Sequence, residues 1–247
     1  MTTHFYLKGS DAYKIDAMSW PCERPMAVLL CLHGFAGDKY STVIEAVAER
    51  FSAHMQVLTF DWPAHGDSKA DPSMLTVDRC LEDLDTMIGY INEHYPGLPL
   101  YAFATSFGGY LLLKYHAREP EVFDRIILRS PALDMPEVVR HFMDDETYKA
   151  WEKGGTVDFG LERPLPLTIE FLRELRRHGA ALGSIADSER FMIIQGDKDD
   201  VVSPDLARRF ARQNGIAICM VEGADHRYKN PGDVDRILEA AVDFFEN

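Results

Sequence analysis

The sequence predicts an α/β domain, a mostly parallel sheet of about eight strands with helices on both faces. Three observations carry that expectation. Short apolar runs alternate with segments of helical periodicity along most of the chain. Runs such as Met26–Leu32 are apolar almost throughout, as strands covered on both faces must be. Residues with chemistry to offer sit just past three of these runs, at Ser106, at the acidic turn 197–200 and at His226. Open parallel sheets bind ligands at that edge.

In chain order, residues 3–8 and 13–20 alternate loosely and end near Trp20-Pro21, which suggests an antiparallel pair. Residues 26–32 form the first buried strand. Residues 41–54 show helical spacing through Val43, Val47 and Phe51, and 56–60 form the next strand. From Thr76 to Tyr95 the stripe Val77, Leu81, Leu84, Ile88 and Ile91 fits a helix lying on the sheet. Pro96-Gly97 ends it. Strands follow at 99–105 and 123–129, separated by a helix from Phe107 to His116. The alternation resumes near Arg190, with helices near 204–213 and 232–245. Over fifty residues, 132–188, break the rhythm. They read as a cap insertion over the site, and 1–131 with 189–247 as the core. Within the insertion Met135, Phe142, Trp151 and Phe159 are candidates for a substrate pocket.

The run Leu100-Tyr-Ala-Phe-Ala-Thr-Ser-Phe-Gly-Gly109 is an apolar strand, a serine between small residues, and a helix start. That is the layout of a nucleophile elbow, G-x-S-x-G, with Ala104 at its first glycine. A serine hydroxyl needs such exposure, and a base beside it, to become a nucleophile. An acid and then a histidine should follow in the chain. The strand Phe191–Gly196 ends in Asp197-Lys-Asp-Asp200, and the strand near Ile216–Val221 ends in a loop holding His226. His226 would take the proton of Ser106, and the acid would fix its tautomer. The N–H of Phe107, the residue after the serine, is the expected first oxyanion donor.

These residues resemble the α/β-hydrolase family over nearly the whole chain. Val28-Leu-Leu-Cys-Leu-His-Gly-Phe-Ala-Gly37 is similar to the family's strand and H-G-x oxyanion loop, which implies Phe35 as the second oxyanion donor. Asp61-Trp-Pro-Ala-His-Gly-Asp-Ser68 is similar to its D-x-x-G-x-G-x-S turn. Gly196-Asp-Lys-Asp-Asp-Val-Val202 resembles G-x-x-D-x-x-V, which points to Asp199 rather than Asp197 or Asp200. Asp134 stands where other members carry the acid. Gly223-Ala-Asp-His226 resembles G-x-x-H, and Asp225 is too near His226 in sequence to orient it. His33 and His65 are expected to shape their loops.

The resemblance implies a cofactor-independent serine hydrolase acting on small carboxylic esters through an acyl-enzyme. Among members it is similar to small bacterial cinnamoyl and feruloyl esterases. Monoacylglycerol lipase, thioesterase and aminopeptidase-like activities use the same parts, as would a binding protein on this scaffold with little turnover.

Composition bounds the rest. With 247 residues and 46% hydrophobic content the chain can bury a large core. A net charge of −14 disfavours nucleic acid and anionic membranes as partners. No signal-peptide pattern and no apolar run long enough to span a bilayer is seen. Cys22, Cys31, Cys80 and Cys219 lack metal or redox spacing, which suggests a reducing cytoplasm. No phosphate-binding glycine loop or dense ligand cluster is present, so neither a nucleotide cofactor nor a metal is expected.

Overall fold

The computed structural model describes residues 2–9, 13–161 and 163–246. Strand β3 (Ala27–Leu32) shows how the sheet organises the chain. Val28, Leu30 and Leu32 pack into one hydrophobic core, and Leu29 and Cys31 into another on the opposite face. That two-sided burial is what its unbroken apolar sequence requires.

The sheet holds β1 (Thr3–Lys8), β2 (Lys14–Trp20), β3, β4 (Met55–Phe60), β5 (Leu100–Thr105), β6 (Arg125–Arg129), β9 (Phe191–Gly196) and β10 (Ala217–Val221). Their spatial order is β1-β2-β4-β3-β5-β6-β9-β10. The first two strands are antiparallel to their neighbours, and the pairs from β4 to β10 are parallel. This is the α/β-hydrolase fold. Helices α1 (Thr42–Phe51) and α8 (Asp233–Glu246) cover one face through Val47, Phe51, Ile237 and Phe245. Helices α2 (Val77–His94), α3 (Phe107–Arg118) and α7 (Pro204–Asn214) cover the other through Leu84, Met87, Tyr110, Leu111 and Phe210.

Element boundaries fall within a few residues of those expected. Between β6 and β9 the chain forms elements that its irregular pattern concealed. These are α4 (Met135–His141), α5 (Asp145–Glu152), the antiparallel pair β7 (Thr156–Asp158) and β8 (Pro166–Thr168), and α6 (Ile169–His178). Each is short. Helix α5 depends on its cap, the Asp144 carboxylate accepting the Thr147 N–H at 2.7 Å. Helix α6 anchors the segment by burying Ile169, Phe171, Leu172 and Leu175.

One buried polar contact makes the fold's stability depend on pH. The Tyr13 hydroxyl donates to Asp83, fully buried on α2, at 2.6 Å. Burial pushes the Asp83 carboxyl up to about 7 from 3.8. A carboxyl raised on folding binds more protons in the native state than in the unfolded one between those values. Its contribution is therefore fully present below 3.8 and is lost as pH rises through about 7. Asp83→Asn should remove that slope. Urea unfolding at pH 4.5 and pH 8 should show a smaller loss of stability with rising pH in the variant than in wild type.

Candidate active site

Strand β5 delivers Ser106 into a backbone conformation that few side chains tolerate, with φ 51° and ψ −110°. The turn is held on both sides. The Ser106 N–H donates to the Arg129 carbonyl at 3.0 Å, and its own carbonyl accepts from Tyr110 and Ala132. Gly108 makes the turn possible from below. A Cβ there would meet the His33 carbonyl oxygen at 2.7 Å and that of Leu32 at 2.8 Å. Ala104 sits in register between Leu32 and Leu128, fully buried, and its methyl group is accommodated there.

The loop after β10 brings His226 over the serine, with Nε2 3.1 Å from Ser106 Oγ. Its Nδ1 lies 2.8 Å from Asp199 Oδ2 and 3.0 Å from Oδ1. With the ring proton on Nδ1 donating to the carboxylate, Nε2 is free to accept from the hydroxyl. Asp199 is itself fixed by the N–H groups of Val201 and Val202 and by Gln195 Nε2, at 2.9 to 3.0 Å. Burial works to raise its carboxyl. The hydrogen bonds from His226, Val202 and Val201 outweigh burial and hold it below the usual carboxylate range.

The neighbouring acids are engaged otherwise. Asp197 accepts from the Gly223 N–H, Asp225 from the Arg227 N–H, and Asp134 stands at the start of α4. Asp200 is exposed.

Two loops face the serine across the sheet edge. Gly34 approaches so closely that a Cβ would lie 3.3 Å from Ser106 Cβ. The next residue, Phe35, is wedged among rings. It stacks on Phe171 of α6 at 5.4 Å and meets Phe107, Phe159 and His65 edge-on, each at 5.7 Å. The N–H of Phe107, first in its helix, has no acceptor within that helix. His33 is locked as the neutral tautomer. Its Nδ1–H donates to the Gly34 carbonyl at 2.8 Å, and Nε2 accepts from the Trp62 N–H at 3.1 Å. Burial lowers its pKa to about 4. His65 donates from Nδ1 to the Pro63 carbonyl, and burial, then the nearby His33, lower it to about 3.

A buried lysine ties these loops together. Lys39 Nζ reaches Asp61 at 2.5 Å, Asp67 at 2.9 Å and Asp16 at 3.1 Å with its side chain wholly inaccessible. Its backbone N–H also donates to Asp61. Burial disfavours the ammonium, but its bonds to Asp61, Asp67 and Asp16 more than offset that and raise its pKa. Arg163, then Lys39, holds the Asp67 carboxyl well below the usual range. Asp16, Asp61 and Asp67 are close enough to share a cation, and the lysine ammonium sits among them. Asp78, Glu174 and His178 form a second such cluster, containing neither Ser106 nor His226.

A cleft of about 470 Å³ opens beside Ser106 and His226. Its walls include Phe35, His65, Thr105, Arg129, Leu161 and Arg163. A second cavity of about 480 Å³, between α4 and the loop after Asp199, touches neither Ser106 nor His226.

None of the four pocket residues read from the sequence lines the cleft. Met135 and Trp151 are core residues, 1% and 0% exposed, and the Trp151 indole donates to the Leu167 carbonyl at 2.8 Å. Phe142, just past α4, is 54% exposed. Phe159 bears on the cleft through Phe35. The insertion instead lines it with Leu161, Arg163, Pro164 and Leu165. Sequence reasoning also passed over Arg129, whose signal was a charge closing the apolar strand Arg125-Ile-Ile-Leu-Arg129, and Lys39, which no motif marked.

The chain is similar to known proteins. The family model for serine aminopeptidase, S33 matches residues 23–153, and that for the prolyl oligopeptidase family matches residues 99–247. Human monoglyceride lipase (Homo sapiens) is 26% identical over 144 residues, 56% of this chain. The match spans 46% of that relative, so the chain covers under half its length. Est1E from Butyrivibrio proteoclasticus, solved with ferulic acid bound, superposes with a TM-score of 0.82 at 20% identity, covering 98% of each chain. Mouse alpha/beta hydrolase domain-containing protein 10 gives 0.78 at 19%, covering 99% of this chain and 98% of that one. At such identities the structural likeness is one of fold.

Removing Lys39 would leave three carboxylates crowded without their cation. Lys39→Met should destabilise the protein by about 3–5 kcal/mol in denaturant titration, the range for breaking a buried ion pair from one side.

Proposed function

The chain belongs to the serine hydrolases of the α/β-hydrolase superfamily, in the region covered by the serine aminopeptidase S33 and prolyl oligopeptidase models, and from that premise we propose that it is a carboxylesterase acting on small esters. The observation that carries this reading is the unbroken hydrogen-bonded line from Ser106 Oγ through His226 to Asp199, at 3.1 and 2.8 Å. Ser106 attacks the ester carbonyl as His226 takes its proton. Asp199 keeps the ring oriented and stabilises the imidazolium. The N–H groups of Phe35 and Phe107 hold the oxyanion, whose charge appears only in the transition state. His226 then protonates the departing alcohol, and a water it activates releases the acid from Ser106.

The aromatic walls Phe35 and His65 favour an aromatic acyl group, in keeping with the ferulic acid bound by Est1E. The cleft volume suits one small molecule. Residues 132–188 act as a cap, a reading supported by Leu161, Arg163, Pro164 and Leu165 at the cleft and by Phe171 against Phe35. Among the described residues no helix is long and apolar enough to cross a membrane. The four cysteines are unpaired, which supports a cytoplasmic setting.

The test is hydrolysis of p-nitrophenyl and cinnamoyl esters, with matched amides alongside. Ser106→Ala should abolish turnover, and Asp199→Asn should lower kcat by about 10⁴-fold with the fold intact. Undiminished turnover in Ser106→Ala would refute the assignment. If the insertion is a cap, Leu161→Ala should raise KM for cinnamoyl esters by about tenfold while acetate esters change little. Equal KM values for both esters in that variant would argue against it.

A further inference from the structure

We propose that the cleft beside Ser106 recognises an anionic group, a carboxylate or a phosphate monoester, carried by the ester it cleaves. This rests on the esterase reading above and adds the substrate's charge to it.

The cleft wall is cationic in a chain of net charge −14. Arg129, Arg163 and Arg227 all line it, with Asp38 as the opposing carboxylate. Arg163 is paired with Asp67 at 2.8 Å. Arg227 has no side-chain partner among the described residues, and its exposed position leaves it free to turn to a ligand.

Arg129 is the more telling. It is 4% exposed, and no carboxylate lies within ion-pair distance among the described residues. Its guanidinium donates from one Nη to the His226 carbonyl at 2.6 Å and lies 4.3 Å from the Tyr228 ring centroid. Its Nε has no hydrogen-bond partner. The same is true of Thr105 Oγ1. These two residues are direct partners in the β5–β6 register, immediately beside Ser106, and both line the cleft. Both atoms are closed off from solvent, so it is the uncompensated charge of Arg129, held in the cleft wall beside Ser106, that favours an anion there.

A third feature points the same way. Ser41, Thr42 and Val43, the start of α1, line the cleft as well. Ser41 occupies the N-cap position, yet its side chain caps nothing. The first-turn N–H groups and the positive end of the helix dipole therefore favour an anion there. Cationic side chains, one of them buried without a carboxylate partner, and a helix N-terminus on one small cleft match an anionic group with several acceptor lone pairs.

The experiment compares acetate esters of three short alcohols that differ only at their far end, in a methyl, a carboxylate or a phosphate monoester. Acid release by wild type should give a kcat/KM at least about tenfold higher for one anionic ester than for the neutral one, and which anion leads separates the two sources. Arg227→Gln should cut that ratio by about tenfold, mainly through KM. Arg129→Gln should do the same, but it also contacts the His226 loop, so the exposed Arg227 carries the decision. A ratio of one or below, or a ratio unmoved by Arg227→Gln, would overturn the proposal. If no ester is turned over, the esterase reading fails separately. The anion site then stands or falls on calorimetric titration with glutarate and inorganic phosphate: binding weakened by Arg227→Gln supports it, and no binding to wild type refutes it.

Discussion

The contact on which the site depends is the approach of the start of α3 to the end of β3. Gly108 lets the helix backbone come against the carbonyls of Leu32 and His33. That approach sets Ser106 in its left-handed conformation and carries the His33–Phe35 loop up to the serine. Were a side chain present at Gly108, the helix would have to lift, and Ser106 and the Phe107 N–H would move away from the Phe35 loop together. The strain at Ser106 is held by bonds at both ends, to Arg129 on one strand and to Tyr110 and Ala132 beyond. A conformation of this kind persists only where its surroundings over-determine it.

Around that fixed point the loops are secured by polar groups as well as by the packing of Phe35. Loops at a sheet edge cannot bury much apolar surface, so their geometry needs directional bonds. Asp199 is positioned by two backbone N–H groups and an amide before it meets His226. His33 spends both ring nitrogens on loop backbone. Lys39 gathers three carboxylates from β2, the end of β4 and the turn after it. The insertion joins the same network where Arg163 meets Asp67. Arg163 thereby links the cleft wall to the turn that carries Asp67.

Much of this was legible in the sequence, and the reason is periodicity. Buried strands such as Val28–Leu32 and amphipathic helices such as Val77–Ile91 are long enough for their pattern to dominate local exceptions. That Ser106, Asp199 and His226 come together was legible because each sits at a fixed offset from a strand end. The insertion was not. Its helices are 7, 8 and 10 residues long, and the strands β7 and β8 have three each. Over such lengths an apolar residue says that it is buried but not against what. Trp151 and Met135 were read as candidates for a substrate pocket, yet both are buried in the hydrophobic core. The cleft wall falls to Leu161 and Arg163, in a loop whose tip carries no periodic signal. Lys39 and Arg129 were missed for a related reason. A lone charge beside an apolar run is ordinarily solvated, and only the tertiary fold shows that these two are enclosed.

The two buried cations place opposite electrostatic demands on the structure. Lys39 is surrounded by carboxylates, so its charge is spent within the protein and contributes to holding loops. Arg129 is enclosed to a similar degree, but its neighbours are a carbonyl and an aromatic face. Neither of these returns the full solvation that a guanidinium loses on burial. Asp199 lies near enough to exert a favourable field on it, but that carboxylate is already committed to His226 and its own loop. A charge kept in a low-dielectric wall with one donor unspent acts on whatever enters the cleft more strongly than the same charge on the surface. The overall negative charge of the chain does not cancel this, because distant surface charges are screened by salt while a charge at contact distance is not. Selectivity for a ligand's charge can thus be set locally, by the strand end next to Ser106, against the sign of the protein as a whole.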